Sequence, residues 1–518
     1  MLNKNNVLSL LVLASPLMAS QPESIDKKMK SEKSWVAKHP VVAAVGVAAV
    51  LAAGTASVLH PDASTSAVIP VGQPCAYKVM QEAQGLVPLS CAPFQDKVLE
   101  LELFQALEVQ AKMKSDWMKE LNNKLSSLGY KSKFNGSDTN SLSTAYPALR
   151  DRIPYVALAA LPTPVVKLPA ISQLFGVPVY MKDDSLTGGV DESGDPKYGG
   201  NKRRKACYIF GDALYWGAEK IALPGCVGSN YAVAMAAIAR ELGIEPICML
   251  KDQPPSQVVQ HNLLMHLALG SELHYSPNND VRALNTLTVW MDHYKKDGRV
   301  PYVTPTGGSN VLGTLGFVDA AFELAHQIKA GAMPKPTHIY VATGSCATAA
   351  GLLLGCRAAG IDAQVVAVAV EPDEDPTFAQ TIDRLFKETN EFLHEKDNSF
   401  PMLAYTDKDL RVDLNFTGPS YGIFTQEGVA AAETISRLEG VKLEGTYTGK
   451  GFACLLNDIK KNPKATVLFW NTYSGLDFKQ VRGQDYKKLP RVFHDYFQDA
   501  NLQPLARPDS SHDEMTGE

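Results

Sequence analysis

The chain of 518 residues is 45% apolar and 20% charged, the balance of an ordinary globular protein too long for one simple core, so at least two folding units with terminal appendages are expected. A formal net charge of -5 supplies no basic field and excludes nucleic acid as a partner. The eight cysteines form no CxxC pair and no Cys/His spacing of a zinc site, so no metal is expected.

Residues 1–20 join a lysine-containing start to a short apolar run at 7–19 with the character of a signal-peptide core, although no clean small-x-small cleavage site follows. A second run, 41–59, is rich in Ala, Val and Gly, carries no charge and is just long enough to cross a bilayer. Lys27, Lys28, Lys30, Lys33 and Lys38 precede it, and the next lysine is Lys78. If the first run stays, the positive-inside rule keeps those lysines in the cytoplasm and sends the remainder of the chain outside; if it is cleaved, the second run returns the remainder to the cytoplasm. The expectation is a membrane-associated or exported, periplasmic protein attached through 41–59, with its side left open. An Ala-rich buried or disordered export segment is the alternative for 41–59.

Residues 63–145 form an extension in which 94–128 reads as a long helix, with Leu99, Leu103, Leu107, Met113 and Met118 at roughly helical spacing. Residues 135–143 read as a polar linker. The extension shows no chemistry, and a docking or packing role is expected. Cys75 and Cys91 lie within it and would pair only in an oxidising compartment. The other six cysteines sit in apolar or small-residue segments typical of buried reduced thiols.

From Arg150 onward strand and helix signals alternate, the mark of an α/β fold with largely parallel strands. Strands are expected over 177–181, 220–223, 247–250, 338–342, 365–370 and 467–470, with helices over 230–242, 257–269 and 348–359. Residues 501–518 read as a loose polar tail.

Several stretches carry chemistry. Gly199-Gly200-Asn201-Lys202 brings the backbone into a tight turn and opens a helix on a lysine, with Arg203, Arg204 and Lys205 following. Gly344-Ser345-Cys346-Ala347-Thr348 joins a strand to a helix, where backbone N–H groups, the helix dipole and two hydroxyls converge on one point suited to a phosphate. It lacks a Walker lysine and a full GxGxxG, which disfavours a nucleotide. Ser229 and Asn230 open another helix, where such residues are also ordinary caps. Tyr421 and Tyr447 stand beside glycines in loops, and Thr472 follows an apolar strand at its carboxyl end, where an α/β sheet presents ligand contacts.

In this order, with Leu161-Pro162-Thr163-Pro164 and the Lys182-Asp183-Asp184 strand end before them, these residues resemble the family of aminocyclopropane-carboxylate deaminases and D-cysteine desulfhydrases. That family lies within the tryptophan-synthase-β-like, fold-type II class of pyridoxal-phosphate enzymes. The resemblance covers roughly the last two-thirds of the chain. It implies a pyridoxal 5'-phosphate-dependent domain over 146–500 with two parallel-sheet subdomains, the smaller at about 206–325, and a homodimer. It implies that Lys202 carries the cofactor and moves the proton at the substrate carbon. Asn230 would bond the cofactor's phenolic oxygen, Ser229 the substrate carboxylate, and residues Gly344, Ser345, Cys346, Ala347 and Thr348 the phosphate. Tyr421 and Tyr447 would face the substrate.

The chain departs from the family at Cys346 and Ala347, where paired glycines are usual, and a positive φ at either would be strained. Where the deaminases tend to have a glutamate at the ring nitrogen, this chain has Thr448; where they tend to have an apolar residue, it has Thr472. A hydroxyl leaves the ring nitrogen less protonated than a carboxylate, which suits loss of a good leaving group such as a thiolate. The reaction implied is β-elimination from a small amino acid, D-cysteine, to pyruvate, ammonia and sulfide. Deamination of aminocyclopropane-carboxylate and dehydration of D-serine are the alternatives within the fold. A membrane-linked binding protein of reduced activity is the alternative from another class, and the presence of Lys202 disfavours it.

Overall fold

The computed structural model describes residues 136–373, 377–475, 478–498 and 502–503. The two apolar N-terminal runs, the 94–128 helix, Cys75, Cys91 and nearly all of the tail lie outside the described residues. Among the described residues no helix is long and apolar enough to cross a membrane. Both sheets belong to one compact unit.

Parallel strands covered on both faces read as near-continuous apolar runs, and the middles of the central strands here do. Strands β1 (Val165–Lys167), β2 (Val179–Asp183), β7 (His338–Thr343), β8 (Gln364–Ala369), β9 (Leu410–Asp413) and β10 (Val467–Asn471) form a six-stranded sheet in the order β1-β2-β10-β7-β8-β9. Only β1 and β2 pair antiparallel. Strands β3 (Lys220–Cys226), β4 (Glu245–Lys251), β5 (Glu272–Ser276) and β6 (Tyr302–Val303) form a second, wholly parallel sheet in the order β5-β4-β3-β6. The α/β expectation is borne out.

Helices α1 (Ser141–Ala145), α2 (Pro169–Phe175), α3 (Lys202–Tyr215), α4 (Asn230–Glu241), α5 (Gln257–Ala268), α6 (Asn279–Asp297), α7 (Val311–Lys329), α8 (Ala347–Ala359), α9 (Thr377–Lys396), α10 (Gln426–Glu439) and α11 (Thr448–Ile459) complete the fold. Three of them meet through glycine. A Cβ on Gly351 of α8 would lie 2.5 Å from the Thr314 carbonyl of α7, and one on Gly316 of α7 would lie 2.5 Å from the Arg204 carbonyl of α3. Any side chain there would drive the helices apart, so these glycines set the spacing of α3, α7 and α8.

Two local readings shift. β2 runs to Asp183 because Lys182, fully buried, is satisfied by Glu323 and by Gln327 Oε1 at 2.7 Å, so a charge that reads as a strand end lies inside the sheet. The expected polar linker at 135–143 instead carries the start of α1, with a capping box between Asn140 and Ser143. It docks through the Leu142 amide, which donates to Asp319 Oδ1 at 2.7 Å, and Asn140 Nδ2, which donates to the Tyr208 hydroxyl at 3.1 Å.

Candidate active site

Gly200, with φ of 80°, turns the chain into α3, and the Asn201 amide then donates to the Thr472 carbonyl at 3.1 Å, tying the helix start to the end of β10. Lys202 is the first residue of α3, and its Nζ donates to Asn201 Oδ1 at 2.6 Å. Burial pulls its ammonium down to about 8, with the Glu444 carboxylate opposing. An amine in that range is partly neutral near pH 7, the state a nucleophile needs. Asn201 also donates through Nδ2 to Thr348 Oγ1 at 3.2 Å, so one amide joins the lysine to the phosphate loop.

That loop enters α8 through Cys346, which caps the helix with φ of 71°, while Ala347 is the first helical residue. Among the described residues Cys346 is the single non-glycine with positive φ, so of the two positions where a positive φ would be strained only Cys346 takes one. The Ala347 amide turns back to the Ser345 carbonyl at 3.0 Å, and the next amides of the first turn lie before any intrahelical acceptor. Gly344 lies under Tyr447, whose Cε1 would be 3.1 Å from a Cβ there.

Lys205 is buried beside this loop, and its Nζ donates to the Gly307 carbonyl at 2.9 Å. Burial, reinforced by the Lys202 charge, pushes its ammonium well below the usual range. A phosphate dianion in the cup would supply the counter-charge that this amine lacks, so the residues present fit a phosphorylated cofactor. A side chain at Gly307, which has φ of 68°, would collide with Ser345.

Tyr421 and Tyr447 share a hydroxyl–hydroxyl hydrogen bond of 2.8 Å, and the Tyr447 ring centroid lies 6.0 Å from Lys202 Nζ. Burial raises both phenols, so both stay protonated at neutral pH. Ser229 caps α4, accepting from the Ala232 amide at 3.2 Å, which leaves its hydroxyl hydrogen free to donate. Asn230 Oδ1 accepts from Asn262 Nδ2 at 3.0 Å, which leaves the Asn230 side-chain nitrogen free to donate.

The two threonines differ. Thr448 Oγ1 is buried and accepts from the Glu444 amide at 2.9 Å, so it closes the start of its own helix. Thr472 is half-buried, and its hydroxyl has no partner among the described residues. Glu444 itself accepts from the Thr446, Tyr447 and Thr448 amides at 2.9, 2.7 and 2.8 Å. The six described cysteines are free, and all but the half-buried Cys226 are buried.

The structure thus gathers Lys202, Thr348, Gly344, Tyr447, Tyr421 and Thr472 into one cluster. Sequence reasoning passed over Asn201, Lys205, Gly307, Asn262 and Glu444 as parts of it. The basic run at 203–205 and the Thr306-Gly307-Gly308 turn were the signals for two of them.

Two open parallel sheets, an amine of lowered basicity and a helix-capped anion cup joined by one asparagine define a fold-type II enzyme that works through a phosphorylated aldehyde cofactor. The family "Pyridoxal-phosphate dependent enzyme" matches residues 156–472, and the chain belongs to it, with pyridoxal 5'-phosphate as its cofactor. The chain is 33% identical over 328 residues to a putative 1-aminocyclopropane-1-carboxylate deaminase of Pyrococcus horikoshii, covering 63% of this chain and 93% of that one. It is 31% identical over 338 residues to a D-cysteine desulfhydrase of Yersinia pestis, covering 62% and 94%. Among solved structures, an ACC deaminase homologue aligns with a TM-score of 0.54 at 31% identity, covering 64% of this chain and 94% of that one.

Proposed function

We propose that the chain eliminates the β-substituent of a small D-amino acid, and that its substrate is D-cysteine, which with one water gives pyruvate, ammonia and hydrogen sulfide. The observation that carries this reading is the donor left open at the end of β10. Thr472 offers a neutral hydroxyl there, Thr448 is spent on its helix, and the three backbone amides take up the oxygens of Glu444. A neutral partner at the ring nitrogen makes the cofactor a weaker electron sink, which favours departure of a thiolate over opening of a carbon ring.

When bound, the cofactor withdraws electrons from the substrate's α-carbon. Lys202 and Lys205, the loop at 344–348, Asn230 and Thr472 would hold it. The Lys202 amine accepts the α-proton. The Ser229 hydroxyl donates to the substrate carboxylate, and the Tyr421–Tyr447 pair, kept protonated by burial, has one hydroxyl hydrogen to give to the departing sulfur.

The test compares the full-length protein with Lys202→Ala. Wild type should show the visible absorbance of lysine-bound cofactor and release sulfide and pyruvate from D-cysteine. Lys202→Ala should lose the band and at least roughly a thousandfold in turnover. Deamination of aminocyclopropane-carboxylate, the activity in the name of the Pyrococcus relative, is the second reading; 2-oxobutanoate from that compound with no sulfide from D-cysteine would establish it instead.

A further inference from the structure

The described C-terminal residues, 478–498 and 502–503, lie beyond the residues matched by the family, 156–472, and pack against the loop that carries Tyr421. Phe478 stacks on Tyr198 with ring centroids 4.8 Å apart. Tyr496 is buried against the small sheet: its hydroxyl donates to Asp252 and its carbonyl accepts from Gln260 Nε2 at 3.0 Å. Gln503 then forms a parallel bridge with Ser256, the cap of α5. Its side chain grips the loop that carries Tyr421, with Nε2 donating to the Gly422 carbonyl at 2.9 Å and Oε1 accepting from the Phe424 amide at 2.8 Å.

That loop needs an outside tie. Gly418 and Gly422 flank Tyr421 with φ of 73° and 82°, conformations in which no side chain restricts the backbone. On its other side Gly422 lies against Gln253 and Pro254, each 3.6 Å from where a Cβ would stand. Gln253 Oε1 accepts from the Gly228 amide at 3.0 Å, next to Ser229. Gln503 and Gln253 thus both lie against the loop that carries Tyr421, and Gln253 also holds the turn before Ser229.

We propose that Gln503 is a positioning residue: it sets the Tyr421 hydroxyl against Tyr447 and so tunes affinity for the amino-acid substrate. The proposal rests on the reading of Tyr421 as substrate-facing. Gln503 touches neither Lys202 nor the phosphate loop, so Gln503→Ala should leave the visible cofactor band and cofactor affinity unchanged. It should raise KM for D-cysteine roughly tenfold while kcat moves less than about threefold. Gln503→Glu sets a carboxylate oxygen against the Gly422 carbonyl in place of the donor, so its KM should rise at least as much as that of Gln503→Ala.

The decisive measurement is the double mutant on the full chain. If Gln503 acts through Tyr421, the KM effect of Gln503→Ala should shrink to under about twofold in a Tyr421→Phe background. An equal effect in both backgrounds, or an unchanged KM, overturns the proposal. Amide exchange across 420–423 is read in parallel and needs no substrate; it should quicken in Gln503→Ala. If wild type ignores D-cysteine yet exchange quickens, the substrate assignment fails and the positioning role stands. Unchanged exchange rejects the role whatever the substrate.

Discussion

At Cys346 a backbone φ of 71° holds a Cβ where L-residues pay about 1 kcal/mol or more. Glycine would remove that cost but add a comparable loss of unfolded-chain entropy. Cys346→Gly should therefore stay within about 0.5 kcal/mol of wild type, with cofactor affinity retained. Cys346→Val, β-branched in the same conformation, should lose about 2 kcal/mol and bind the cofactor more weakly. Thermal unfolding with and without added pyridoxal phosphate checks both. The departure from paired glycines was legible in the sequence, but not which position takes the positive φ, since that depends on how the turn meets α8. Lys205 shows the other limit at this scale. Its charge was plain in the basic run, whereas its bond to Gly307 depends on two segments far apart in the chain.

The start of α11 is organised by Glu444, three residues before the helix reaches Tyr447. Its carboxylate accepts three amides at the positive end of the helix, and burial raises its pKa while those bonds oppose the rise. The same charge raises the Lys202 ammonium. Glu444→Gln should cost about 1–2 kcal/mol of stability through the weakened cap. It should also lower the Lys202 pKa below about 8, because a charge that favours the ammonium is gone. Recombination of apoprotein with pyridoxal phosphate needs the neutral amine, so the rise of its rate with pH should move to lower pH; an unmoved profile would show that Glu444 acts on structure alone. In the sequence this stretch read as a loop holding a tyrosine. The helix boundary was missed because the residue at its N-cap, Tyr447, makes no side-chain cap bond, and Glu444, three residues earlier, takes up the amides instead.

Across the molecule, a buried charge network joins the segments that hold the cluster in place. Arg204 of α3 donates to both oxygens of Asp184 and to Glu323 of α7, Lys182 of β2 donates to Glu323, and Trp470 Nε1 of β10 donates to Asp184 at 2.7 Å. Burial alone would raise the Glu323 carboxyl, but Arg204 and Lys182 outweigh it and hold it down at about 2, against an ordinary 4.5. A carboxyl lowered in the folded state contributes stability that is fully present above its unfolded pKa and is lost as pH falls toward the folded one. Resistance to urea should therefore drop between about pH 4.5 and 2. Glu323→Gln, less stable at neutral pH because it leaves two cations short of a partner, should flatten that drop. An equally steep acid dependence in the variant would place the effect in other carboxylates.

Local pattern by itself determined the alternation of strand and helix, the lysine at the head of α3, the small-residue turn into α8 and the loop that carries Tyr421, because each depends on residues close together in the chain. It also carried the family resemblance, whose motifs are contiguous. Only the tertiary structure decided how each hydroxyl is engaged, since Thr448 is spent on its own helix, Ser229 caps its helix as an acceptor and keeps its hydrogen, and Thr472 has no partner among the described residues. It alone turned Lys182, Arg204 and Lys205 from apparent surface charges into buried ones, because desolvation depends on what packs over a residue and not on its neighbours in sequence.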